Sequence, residues 1–282
     1  HIAERVVVEY VAFRFGGTLS FAENLDTFAK NLQDTQPTVF FAVPRIWTKF
    51  QMGILSKIPQ EKLTKLLKIP VLSWVLKSKF KKALGLGKAR SIVSGAAPLQ
   101  ETQRTWFRKI GVPITNGYGM TENCAITTHL GDGIINKPGS VGLAQPGVTL
   151  KIDSESSEIL MRGPYVMKEY YKQPELTAEV IKEGWLHTGD QGHIDAEGFL
   201  FITGRVKDIF KTSKGKYIEP LVLEGFFGDV LEFEQICIAG LGLPQPICLG
   251  VLSEIGLAKP KDELQQNFSD CLEKVNAQLP GY

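Results

Sequence analysis

Three short apolar runs, TVFFAVP, ARSIVSGAAPL and VPITNGYGMTE, alternate with helix-period segments before Gly131. Leu25, Phe28, Ala29 and Leu32 recur at i, i+3, i+4 and i+7, the apolar stripe of a helix, which Pro37 then ends. A second helical stretch covers roughly Glu61 to Ala83, and ETQRTWFRKIG reads as a helix closed by Gly111. Strand, helix and strand in series demand crossover connections, so this region is expected to be a mainly parallel α/β layer. The 43% hydrophobic and 22% charged residues in a chain of 282 supply enough apolar material for such a core.

The pattern changes after Gly131. GSVGLAQPGVTLKI, EILMRGPYVM and GHIDAEGFLFITG are short β-type runs with close turn signals, suited to a small barrel or an antiparallel sheet. From Lys207 onward FEQICIAGLG, ICLGVLS and a helix near Asp262 to Gln278 suggest a smaller α+β domain. The expected fold class is therefore mixed α/β and α+β. A large domain is expected over residues 1–206 (α/β over 1–130, a β-rich, barrel-like part over 131–206), and a second over 207–282.

Several function classes are disfavoured. A formal net charge of +2 gives the whole chain no electrostatic case for nucleic acid. Cys124, Cys237, Cys248 and Cys271 form no CxxC pair and fit free thiols in a reducing, cytoplasmic compartment. No apolar run approaches the length of a membrane-spanning helix. Charge is uneven, however. Residues 57–90 hold nine lysines and one arginine against Glu61, a local net of +9, so the rest sums to −7. Apolar Leu63, Leu66, Val71, Trp74 and Val75 are interleaved, which suits either a solvated lysine face or peripheral contact with an anionic membrane surface.

Four segments carry chemistry as an ordered set. In SGAAPL, Gly95, Ala96 and Ala97 leave room for a flat ligand against the backbone. In NGYGMTE, glycines 117 and 119 flank Tyr118, so the backbone can bend there and the ring can project from a loop to stack on a nucleobase. There Thr121 offers a hydroxyl to a phosphate oxygen and Glu122 a carboxylate to Mg²⁺, which prefers oxygen ligands. In GWLHTGDQGHID, Asp190 can accept from ribose hydroxyls. His187 and His193 lie close by, but the segment offers no third ligand at zinc-like spacing. In TGRVKDIFKTSKGKYIEP, Arg205 has the planar fork that pairs with ribose or phosphate oxygens, and lysines 207, 211, 214 and 216 suit a segment that handles anions.

In this order SGAAPL, NGYGMTE, GSVG, HTGD and GRVKDIFKTSKGKYIEP resemble the motifs of the AMP-forming acyl-CoA synthetases, a superfamily that includes peptide-synthetase adenylation domains and beetle luciferases. PTVFFAVPRIWTKF and KGKYIEP look most like the long-chain fatty acyl-CoA ligase branch. The resemblance implies ATP, CoA and a fatty acid as substrates, AMP as the bound nucleotide and Mg²⁺ as cofactor. It implies Gly95, Ala96 and Ala97 beside the adenine, within a pocket shared with Asn116, Gly117, Tyr118 and Gly119, with Tyr118 stacked on the base. It places Thr121 on the adenylate phosphate, Glu122 on magnesium, and Asp190 with Arg205 on the ribose. Lys207 matches the family's hinge, and Lys211 with the Lys214-Gly215-Lys216 turn matches the stretch presented for thioester formation. The family's phosphate loop is expected before His1 and its catalytic lysine after Tyr282, so the chain as given is expected to be nearly inactive. Transfer to a carrier protein instead of CoA, and a non-catalytic adenylate-binding module, are the alternatives.

Overall fold

The computed structural model describes all residues except His1, Leu25, 129–136, Asp229 and 278–282. The expectations resting on Leu25, Gly131 and Gln278 therefore lie outside the described residues. The chain forms two compact units, His1–Thr188 with Gly192–Ile202, and Gly189–Gln191 with Thr203–Tyr282.

The first unit begins with a π-helical segment, Glu4–Tyr10, that runs into α1 (Val11–Phe15), followed by α2 (Phe28–Thr35). Strand β1 (Val39–Ala42) leads directly into α3 (Pro44–Leu55), because Pro44 has a ring already set for the first helical turn and lacks a donor that the turn would leave orphaned. The sequence patterning had missed α3. The single stretch expected over 61–83 is two helices, α4 (Gln60–Leu67) and α5 (Pro70–Ala83). Pro70 causes the break: it forces Ile69 out of the helical region, to φ −88° and ψ 113°, and then starts α5.

Next come β2 (Ser91–Ser94), α6 (Glu101–Lys109) and β3 (Thr115–Asn116), with Gly111 at φ 88° just beyond the end of α6. Strands β1, β2 and β3 pair in that order and in parallel, Val39 opposite Ser91 and Ser94 opposite Asn116. The parallel layer read from the sequence is what forms. Its core is aromatic: fully buried Trp47 meets Phe40 edge-on at 5.5 Å and Phe107 at 5.4 Å.

The region after residue 136 holds β4 (Gly142–Leu143), β5 (Thr149–Ile152), β6 (Glu158–Arg162), α7 (Pro174–Val180), β7 (Ile181–Lys182), β8 (Trp185–Ile194) and β9 (Phe199–Arg205). The strands form one sheet in the order β4-β9-β8-β6-β5, with β7 on β8. The barrel-like expectation is corrected here, because the sheet is open. Closure requires tilted strands that meet edge to edge. The two edges are β4, two residues long, and β5, four residues long, and they do not pair with each other.

The second unit opens with the hairpin β10 (Phe210–Lys211) and β11 (Tyr217–Ile218), then α8 (Pro220–Gly225). An antiparallel pair follows, β12 (Phe233–Ala239) and β13 (Ile247–Leu252), and then α9 (Glu254–Leu257) and α10 (Lys261–Asn276). Phe227, Ile238 and Val275 form its core, with Phe268 and Leu272 packed against them.

Candidate functional site

Both nucleotide-type motifs of the first unit start where a parallel strand stops. Ser94 is the last residue of β2 and opens SGAAPL; Asn116 is the last of β3 and opens NGYGMTE. The carboxyl ends of parallel strands are where open α/β sheets bind ligands, since the chain there leaves the layer and is free to form loops. The strand pairing holds the two motifs side by side: Gly117 N donates to Ser94 O at 2.8 Å. A Cβ on Gly95 would lie 3.1 Å from the Phe41 ring and 3.3 Å from Gly117 O. Gly95 is buried, whereas Ala96 and Ala97 are exposed at the loop tip, and Ala96 takes a left-handed φ of 66°. Ser94 Oγ is buried and has no partner among the described residues.

The NGYGMTE loop closes on itself. Tyr118 O accepts from Thr127 N and Thr128 N, and Tyr118 N donates to Thr128 Oγ1 at 3.0 Å. Met120 O accepts from Ala125 N at 2.8 Å, and Met120 N donates to Asn123 Oδ1 at 2.9 Å. The sequence assigned Gly119 a bend. Its φ lies outside the left-handed region, and the requirement is one of space: a Cβ there would sit 2.3 Å from the carbonyl carbon of Ala125. The left-handed residues are Cys124 and Ala125, at φ 57° and 58°.

Thr121 is exposed at the start of a 3₁₀ turn, Thr121–Asn123, and Glu122 beside it is half-buried. The sequence reading missed Tyr170, whose hydroxyl donates to Glu122 Oε1 at 2.6 Å. Met167 N also donates to Glu122 O. The two residues are 48 positions apart, so no spacing rule could have linked them. Burial and then the Glu122 carboxylate push the Tyr170 phenol up to about 12, so it stays a donor.

One Glu122 oxygen is thereby fixed, and Oε2 has no partner among the described residues. That arrangement fits Mg²⁺, which is usually held by one or two carboxylates together with substrate phosphates. We expect Tyr170→Phe to destabilise the first unit by about 1 kcal/mol near neutral pH. The Tyr170 pKa is raised on folding, so its stabilising contribution is complete below about 10 and is lost as pH rises towards about 12. Alkaline unfolding followed by far-UV circular dichroism should show a shallower loss over that window in the Phe variant.

In the second unit Arg205 Nε lies 3.2 Å from Asp190 Oδ1, so the two residues matched to the ribose meet each other. Asp190 is buried at 8% exposure, whereas the Arg205 side chain is 69% exposed, so the carboxylate is the fixed partner. Val206 N donates to Gly189 O at 2.9 Å, which ties the two strands together immediately before Lys207. Lys207 is exposed. The lysine-rich stretch after it is ordered as the β10–β11 hairpin, in which Thr212 N donates to Lys216 O and Gly215 turns at φ 82°. The Lys211 ammonium lies over the Tyr217 ring at 5.1 Å, and Lys214 is exposed at the tip. His187 and His193 are used elsewhere: His187 Nδ1 is 2.8 Å from Glu158 Oε2, and His193 stacks on Phe201 at 4.8 Å.

Known proteins are similar to this chain in sequence and in fold. A putative fatty-acid–CoA ligase, fadD11, from Mycobacterium tuberculosis is 35% identical, covering 79% of this chain and 44% of the relative. Long chain acyl-CoA synthetase 4 of Arabidopsis thaliana is 30% identical, covering 85% of this chain and 41% of its own length. The ATP-bound RpMatB-BxBclM chimera B1 superposes with a TM-score of 0.74 at 26% identity, covering 99% of this chain and 52% of that one. The chain thus spans less than half the length of these two curated relatives. The profile of the AMP-binding enzymes matches residues 1–171, from the π-helical segment past the Glu122–Tyr170 pair. On that match and on the placement of its motifs at the strand ends, this chain belongs to the AMP-binding enzyme family.

Proposed function

We propose that the intact protein activates a long-chain fatty carboxylate with ATP, forming an acyl-AMP and pyrophosphate, and then passes the acyl group to CoA. The observation that carries this reading is the closed NGYGMTE loop, held against SGAAPL with one Glu122 oxygen fixed by Tyr170 and the other open. The names of the relatives support fatty acid and CoA as substrates.

No side-chain nucleophile is required, since the substrate carboxylate attacks the α-phosphate itself. The protein's part is positioning and charge neutralisation. Tyr118 offers a face for the adenine, Asp190 and Arg205 offer an acceptor and a donor to the ribose, and Thr121 offers a hydroxyl to the phosphate. Glu122 would hold Mg²⁺, which supplies charge neutralisation on the phosphates. Lys207 serves as the hinge that brings the Lys211 and Lys214–Lys216 hairpin into use for the thioester step.

Two assays on the full-length protein test this reading: pyrophosphate release and acyl-CoA formation from a long-chain acid. Asp190→Ala is expected to weaken AMP binding by about 10- to 100-fold, the worth of hydrogen bonds to a buried carboxylate. Lys207→Pro is expected to slow acyl-CoA formation more than pyrophosphate release. Pyrophosphate release without any CoA dependence would redirect the reading to a carrier-protein acceptor. Absence of both activities would sink it.

A cytoplasmic enzyme in peripheral contact with membranes is the second part of the proposal. Ile69, Val71 and Trp74 project from the start of α5 at 52%, 77% and 75% exposure, beside exposed Lys62, Lys65 and Lys68. Each basic residue near an anionic surface contributes about 1 kcal/mol. Sedimentation with vesicles containing phosphatidylserine should exceed that with phosphatidylcholine alone and should fall in Trp74→Ser; equal sedimentation in all three would end this reading.

A further inference from the structure

A cavity of about 440 Å³ lies among α2, α3 and α5, and no residue of the nucleotide motifs lines it. That volume falls within the range of small-molecule sites. Its wall is mainly apolar, formed by Phe28, Ile46, Phe50, Ile54, Phe80 and Leu84, with Phe28 and Phe50 stacked at 6.4 Å. The polar groups on it are Gln33, whose amide already donates to Ala83 O at 2.6 Å, and the lysines Lys49 and Lys57. Among the described residues no acidic side chain lines it. Both lysines are exposed, and neither has an ion-pair partner among the described residues.

Gly53 adds a second, independent observation. It lies inside α3, where glycine costs about 1 kcal/mol relative to alanine. Its φ lies outside the left-handed region, and a Cβ built there meets nothing within 4 Å. Neither backbone conformation nor packing within the described residues calls for a glycine. What its missing side chain leaves open is the cavity that Gly53 lines.

We propose that this cavity is a second, non-reacting site for a single-chain amphiphile with an anionic head, a fatty carboxylate. The apolar chain would lie between the Phe50 and Phe80 walls and the head would face Lys49 and Lys57. The charge pattern selects the occupant: an apolar wall alone would take any hydrocarbon, while two unpaired cations and no acid favour a carboxylate. None of the lining residues belongs to SGAAPL, NGYGMTE or the Asp190–Arg205 pair, so the site is independent of the acyl-activation reading.

Calorimetric titration of this 282-residue chain with decanoate, with decyltrimethylammonium as the control of equal chain length, tests the proposal. Decanoate is expected to bind saturably and more tightly than the cation, with no competition from a non-hydrolysable acyl-AMP analogue. Gly53→Leu fills the space without disturbing the helix, and excluding even two methylenes of the ligand weakens binding about tenfold. Lys49→Glu combined with Lys57→Glu should weaken it by a similar factor of about ten, with the thermal midpoint unchanged. Decanoate binding that is indifferent to Gly53→Leu, displaced by the acyl-AMP analogue, or matched by the cation overturns the proposal, as does absence of binding. Absence of pyrophosphate release and acyl-CoA formation by the full-length protein, with decanoate still binding as expected, would count against the activation reading alone.

Discussion

Gly119→Ala is expected to destabilise the first unit by roughly 3 kcal/mol and to abolish AMP binding, the largest effect of any single methyl group in the nucleotide loop. The new Cβ would lie 2.3 Å from Ala125 C, 2.5 Å from Ala125 O and 2.6 Å from Ala125 Cα. These are backbone atoms, so no side-chain rotation can relieve the clash; the loop itself must open. Opening it breaks the bonds that Ala125 N and Asn123 N make to Met120 O, and it shifts Tyr118, whose carbonyl is held by Thr127 and Thr128. Thr121 and Glu122 sit between the two ends of that closure and move with it. Gly53→Ala is the matched control: with open space around its Cβ in a helix interior, it should gain about 0.5–1 kcal/mol. Urea unfolding of the three proteins, with AMP titration of each, separates the cases. A Gly119→Ala protein of wild-type stability would show that the close approach to Ala125 is not required.

Trp47→Ala is expected to cost about 3–5 kcal/mol, the usual penalty for emptying a large aromatic site in a core. Trp47 has no exposed surface and meets Phe40 of β1, Phe50 of its own helix and Phe107 of α6, all edge-on. It therefore holds α3 and α6 to the strand that begins the layer. Its indole nitrogen has no acceptor among the described residues, so the packing, not a hydrogen bond, accounts for its contribution. Trp47→Phe is the diagnostic companion. It keeps most of the ring contact and removes an unsatisfied donor, so its cost should be about 1–2 kcal/mol. Equal costs for the two variants in thermal unfolding would refute the packing account.

The sequence reading and the structure agree most closely where a signal is local. Alternating periodicity over residues 28 to 116 was enough for the parallel layer, because a short apolar run between helix-period segments has no other way to bury itself. Gly111 as a helix stop and the order of the motifs were equally legible. The break at Pro70 could have been read from the restriction that proline places on the residue before it. It was obscured because lysines and leucines continue on both sides at helical spacing.

Residue order and spacing alone carried the family, the α/β layer, and which residue types stand at the candidate nucleotide loops. Three further matters needed the folded chain. It decided that the β-rich part is an open sheet, since closure depends on whether two distant edges meet and not on any one strand. It decided that Gly119 serves close approach instead of a bend, since Ala125 returns to it only after the loop has folded. And it joined Glu122 to Tyr170 across 48 residues, leaving one carboxylate oxygen open. Each of these depends on which atoms become neighbours in space, a quantity that local periodicity and residue type do not encode.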